Sequence, residues 1–168
     1  MTIRDRPDYY INIARNVALR STCMRRKFGA IIVKNDSILG TGYNGSARGA
    51  YNCGLDIPCL KNLYDEPHEI SYNKCSSEHA EANAIAQVGW ERCEDATMFL
   101  APHEGKGFLP CYQCRRKILN AGIKDVYYID ENKTLQHITG KELLAMEKGW
   151  QIETLIAKRP NWEIDMLW

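Results

Sequence analysis

An α/β fold, with a mixed sheet covered by helices on both faces, is predicted for this 168-residue chain by three observations. Short apolar runs of strand length alternate with segments whose apolar residues recur at helical spacing. The first two runs flank a polar turn cluster, Lys34-Asn35-Asp36-Ser37, and read as an antiparallel hairpin. The length is close to the ~150-residue prior for one domain, and no Pro/Gly/Ser-rich linker divides the chain, so residues 1–168 are expected to form a single domain.

The elements follow in order. Asp8 to Ser21, opened by Pro7-Asp8 and carrying Tyr10, Ile13, Val17 and Leu19, has the pattern of an amphipathic helix. Phe28 to Val33 and Ile38 to Tyr43 are the hairpin strands. Periodicity is then lost over residues 45–76, a loop long enough to imply a function or a staple other than a hydrophobic core. Ser77 is the expected N-cap of a helix over Glu78 to Val88, stopped by Gly89. Ala96 to Ala101 reads as a buried strand, and Pro110 as the first residue of a helix that runs to Gly122. Asp125 to Ile129 is a further strand, Thr139 to Lys148 a helix, and Ile152 to Ala157 a fifth strand before an aromatic tail at 158–168 containing Trp162 and Trp168.

Composition narrows the function classes. Hydrophobic residues make up 45% and charged residues 26%, ordinary for a soluble globular protein. Lys plus Arg (22) nearly cancels Asp plus Glu (21), so there is no global field of the kind a dedicated polyanion binder uses, although a local basic group can still hold one phosphate. No apolar run approaches the ~20 residues that span a bilayer, and Met1 to Arg6 does not read as a leader, so a cytoplasmic location is expected. Seven cysteines, at 23, 53, 59, 75, 93, 111 and 114, are an odd number in a compartment where disulfides are rare. Metal ligation is the leading explanation.

Two segments carry the chemistry: His79-Ala80-Glu81 and, 32 residues later, Pro110-Cys111-Tyr112-Gln113-Cys114. Cysteines at i and i+3 share one helix face, so Cys111 and Cys114 can bind one ion together. His79 and Glu81, two apart, cannot share a lateral face, which places the site off the N-terminal tip of their helix, where the dipole stabilises thiolates. Three protein ligands, His79, Cys111 and Cys114, leave the fourth tetrahedral position open, the mark of a catalytic zinc. Two thiolates weaken the ion as a Lewis acid, so a separate proton carrier is needed, and Glu81 is the candidate. Taken alone, the Cys111/Cys114 pair fits a redox pair or half of a structural zinc site equally well. H-x-E followed by P-C-x-x-C in this order is the signature of zinc-dependent nucleobase deaminases.

The sequence resembles the cytidine deaminase superfamily, and within it the deoxycytidylate deaminases. The resemblance rests on the zinc segments together with Phe28-Gly29-Ala30-Ile31-Ile32-Val33, Gly40-Thr41-Gly42-Tyr43-Asn44-Gly45, Arg48-Gly49 and His79 through Ile85, and covers roughly residues 8 to 130. It implies a three-layer α/β/α sandwich around a mixed five-stranded sheet, hydrolytic deamination of dCMP to dUMP, hexameric assembly, and regulation by dCTP and dTTP. It places Asn44 on the substrate's sugar hydroxyl and Ala80 beside the substrate, and it puts phosphate contacts at Arg25 or Arg26, with Arg115-Arg116-Lys117 a weaker second choice. Each has a plainer reading: Asn44 as a turn asparagine with positive φ, the basic residues as a solvated face. A second, structural zinc near the long loop is also implied, with Cys23, Cys53, His68 and Cys75 favoured and Cys59 able to replace any of them. Buried unligated cysteines are the alternative, and Cys93 is expected to be unligated. One departure is His103 to Leu109, inserted between strand and P-C-x-x-C, where Lys106 is a candidate phosphate contact and the loop a candidate lid. Another deaminase of the superfamily, acting on a different nucleotide, nucleoside or base, and a non-catalytic zinc-stabilised interaction module are the competing functions.

Overall fold

Helix α1 (Pro7–Ala18) carries Asp8 in its first turn and Arg15 in its last, the polarity its dipole favours. In this computed structural model, which describes residues 7–63 and 75–158, the helix stops three residues before the expected Ser21. Leu19, Arg20 and Ser21 donate to carbonyls three residues back, a tightened final turn that leaves Leu19 exposed.

Strands β1 (Phe28–Lys34) and β2 (Ser37–Tyr43) form the expected hairpin. Its two turn residues, Asn35 and Asp36, have φ of 52° and 59°, and the type I′ turn needs positive φ at both. Asp36 also accepts the Tyr10 hydroxyl, which ties the hairpin tip to α1. Strand β3 (Gly45–Ser46) pairs antiparallel with β4 (Ser77–Glu78), so the ends of the long loop are clipped together. Between them, Leu60–Leu63 form one 3-10 turn.

The remaining elements are α2 (Ala80–Val88), α3 (Trp90–Cys93), β5 (Thr97–Pro102), α4 (Tyr112–Asn120), β6 (Asp125–Ile129), β7 (Leu135–Thr139) and α5 (Gly140–Lys158). The sheet order is β2-β1-β5-β6-β7, and only β5 and β6 are parallel, joined by the α4 crossover. This is the mixed five-stranded sheet of the expected fold, with one strand placed differently. Residues 152–157 lie inside α5, and the fifth strand is β7. A short apolar run does not distinguish strand from buried helix by itself. Asp130 closes the β6–β7 turn by accepting the amides of Asn132 and Thr134. Thr139 and Glu142 then form a capping box that launches α5.

Alternate residues of β1 face opposite layers. Ile31 and Val33 pack with Phe99 and Ile129 beneath Tyr10, Ile11 and Ala14 of α1. Ala30 and Ile32 pack with Met98 and Val126 beneath Ala84, Ile85, Ile118 and Leu143 of the other helices. Each fully buried branched side chain contributes about 1.5–3 kcal/mol. Two glycines let the helices touch the sheet backbone. A Cβ on Gly29 would lie 2.1 Å from the Ala14 carbonyl oxygen, and one on Gly42 would lie 2.3 Å from both the Ala80 oxygen and the Ala84 nitrogen. The second contact seats the start of α2 directly on β2. No helix of the described residues is long and apolar enough to cross a membrane.

Candidate active site

The tips of α2 and α4 meet. His79 is the N-cap of α2, in extended conformation with φ −81° and ψ 154°, and Cys111 is the N-cap of α4, with φ −63° and ψ 163°. Neither side chain caps its helix. N-cap side chains ordinarily contribute ~1 kcal/mol to a helix, and here both are turned instead toward a common point. His79 Nδ1 lies 3.5 Å from Cys111 Sγ and 3.4 Å from Cys114 Sγ. Among the described residues, these three form the one group whose ligand atoms all lie within 4.8 Å of each other. One imidazole nitrogen and two sulfurs so placed fit a single tetrahedral zinc, with the fourth position left for a non-protein ligand. The expected helix starts need correction. Ser77 is not a cap: its backbone belongs to β4 and its Oγ is buried without a hydrogen-bond partner. Pro110 lies one residue before the cap and is not the first helical residue.

Charge at this point is set by proximity. The Cys111 thiol is drawn down to about 3, chiefly by the hydrogen bond from Cys114, with His79 adding to it against the opposing effect of burial. The Cys114 thiol is pushed far up by that same bond, by burial and by Glu81. His79 is raised, first by its hydrogen bond with Cys111. Glu81, only 5% exposed in the first turn of α2, is raised by burial, which outweighs its bond to its own backbone amide and the nearby His79 charge. A buried carboxyl with a raised pKa beside a metal-ligand trio can take up and release a proton during a reaction.

These groups open on a cavity of about 410 Å³ whose lining includes His79, Ala80, Glu81 and Cys111. Asn44, Arg25 and Arg26 line it as well. Asn44 does not have positive φ. Its amide holds the strand entrance, with Oδ1 accepting the Phe28 N–H at 2.7 Å and Nδ2 donating to the Arg26 carbonyl at 2.9 Å. Arg115 and Arg116 face Glu147 of α5 at 3.8 Å and 3.1 Å, and Lys117 faces Glu78 at 3.2 Å. This second basic triplet is occupied elsewhere and lines no part of the cavity. Cys23, Cys53, Cys59 and Cys75 lie along the same cavity, and the Cys53 thiol is raised by burial and then by Cys59, Cys23 and Cys75. His68 lies outside the described residues, as does most of the tail at 158–168. Cys93 is fully buried in the core, away from both groups.

Residues 4–130 match the family model described as the cytidine and deoxycytidylate deaminase zinc-binding region. The chain belongs to this family. The deaminase fold accounts for the sheet order, and the zinc-binding segment for the trio. A deoxycytidylate deaminase of Mycobacterium phage D29 is 34% identical over 137 residues, 79% of this chain and 100% of that protein. A deoxycytidylate deaminase of Schizosaccharomyces pombe is 34% identical over 71% of this chain and 35% of its own length, so this chain spans about a third of that relative. The crystal structure of dCMP deaminase from the cyanophage S-TIM5 in complex with dCMP and dUMP superimposes with a TM-score of 0.60 at 28% identity, covering 87% of this chain and 93% of that one.

Three contributors to this deaminase site were not singled out from the sequence. Asn83 donates to the Tyr43 carbonyl at 2.8 Å and so fastens α2 to the end of β2, just before Asn44. Glu78 accepts the His79 N–H and pairs with Lys117, linking the two ligand-bearing segments. Phe108, from the inserted loop, lines the cavity. The position of Asn83, one helical turn after His79, was the only signal in the sequence; the other two depend on contacts between distant segments.

Proposed function

We propose that the protein catalyses the zinc-dependent hydrolytic deamination of a cytosine deoxynucleotide, dCMP to dUMP and ammonia. The observation that carries this is the His79–Cys111–Cys114 trio with buried Glu81 beside it on one cavity. Zinc held by His79, Cys111 and Cys114 supplies Lewis acidity toward water. Glu81 takes a proton from the attacking water and delivers it to the ring nitrogen. Once the oxygen has bonded to C4, Glu81 takes the remaining proton from that oxygen and passes it to the amine as the C4–N bond breaks, so that C4 keeps a carbonyl oxygen and ammonia leaves. Asn44, with one N–H and one lone pair left after its two backbone bonds, takes the sugar hydroxyl. Ala80 forms the small wall beside the base, and Arg25 or Arg26 holds the phosphate.

A second zinc belongs to the same reading, held by Cys23, Cys53, His68 and Cys75, with Cys59 able to replace any one of them. Support comes from the four thiols that gather along the cavity, although their sulfurs are not drawn to the spacing of the first trio. A single domain, hexameric assembly, dCTP and dTTP regulation and a cytoplasmic location rest on the resemblance and the composition. A single sedimenting monomer would remove the assembly from this reading. The function itself is tested by incubating the purified protein with dCMP and zinc and measuring dUMP. Ordered turnover supports it, and conversion of another base or nucleoside in preference to dCMP redirects it.

A further inference from the structure

The inserted loop is held at two points. At its start the His103 amide donates to the Lys27 carbonyl at 2.8 Å, and further on the Gly107 amide donates to the Asp130 carbonyl at 3.0 Å. A Cβ on Gly107 would lie 2.0 Å from the Ile129 oxygen, so only glycine permits this approach to the end of β6. Asp130 is itself fixed, because its carboxylate accepts from Asn132, Thr134 and Gln136. Phe108, the next residue, is thereby projected over the cavity, where the Arg26 guanidinium lies 4.5 Å from its ring centroid. Arg26 is anchored from the other side, with its own carbonyl held by Asn44 and that of Lys27 held by the loop. Lys106 is exposed and is not part of the lining.

From this geometry we infer that Phe108 is a positioning residue for the substrate phosphate: its ring carries the face of the Arg26 guanidinium, leaving the in-plane N–H fork directed at the anion. The inference rests on the nucleotide reading above. Stacking uses only the face of a guanidinium, so its donors stay available for an oxyanion. A lone arginine on the surface must be ordered when it binds, whereas a stacked one has lost much of that freedom beforehand.

The test is calorimetric binding of dUMP and deoxyuridine, which avoids turnover, to wild type, Phe108→Leu, Phe108→Trp, Arg26→Gln and the Phe108→Leu/Arg26→Gln double variant. Wild type is expected to prefer dUMP. Phe108→Leu should weaken dUMP about two- to thirty-fold, the range of a cation–π contact, and leave deoxyuridine unchanged. Phe108→Trp should restore the preference, and the double variant should bind dUMP no more weakly than Arg26→Gln alone. Equal losses for both ligands in Phe108→Leu, or additive losses in the double variant, overturn the inference while the nucleotide reading stands. Wild type that binds neither ligand overturns both.

Discussion

Glu81 occupies a position that few carboxylates tolerate, in the first turn of a helix and almost wholly buried. Desolvation favours its protonated form, which suits a group that must hold a proton between taking it up and passing it on. Because the trio does not include Glu81, its replacement separates metal binding from chemistry. Glu81→Gln is expected to retain one zinc at the His79 site and to lower kcat by about 10²- to 10⁴-fold. Metal analysis beside steady-state kinetics checks this, and zinc loss in the variant would assign Glu81 a ligand role instead. At this scale the sequence was highly legible for His79, Glu81, Cys111 and Cys114, since side-chain chemistry and local spacing define them. Phe108 was not legible, because its partner Arg26 lies 82 residues earlier and meets it only through the sheet.

Helix α2 is located by contacts along its length: Gly42 beneath its first turns, Asn83 on the Tyr43 carbonyl, and Gln87 accepting the Thr41 amide. The two close-approach glycines offer a matched comparison. Gly42→Ala forces a Cβ into the backbone of α2, and Gly29→Ala forces one into α1 on the opposite face. Both are expected to destabilise the fold by about 1–3 kcal/mol. Only Gly42→Ala should also reduce kcat/KM, at least tenfold per folded molecule, because it displaces the helix that carries His79 and Glu81. Thermal melts and kinetics on both variants decide this, and equal kinetic effects would mean that α2 is not the element that sets the site. Element types were readable where periodicity ran long, as in α1 and the first hairpin. The last strand was misplaced because Ile152 to Ala157 is short and apolar, while the signals that define β7 and α5 are an aspartate-closed turn and a capping box around Asp130 and Thr139. Similarly, β4 was hidden because its two residues pair with a segment some thirty positions earlier.

Across the whole molecule, the sheet separates two cores, and the site lies on the side built by α2 and α4. The seven cysteines divide accordingly: two at the helix tips, four along the loop side of the cavity and one in the core. If the loop group also holds an ion, metal analysis should give two zincs per chain, with Cys53→Ala falling to one and melting at a lower temperature; one zinc in the wild type would leave those thiols as unligated packing residues. The near balance of charge fits the small phosphorylated substrate proposed above, with Arg25 and Arg26 on the cavity lining, where a polyanion would call for a wider basic surface. All of this converges on one reaction. Purified protein with zinc and dCMP, sampled with and without dCTP, is predicted to release dUMP and ammonia in equal amounts; no release under either condition would contradict the account.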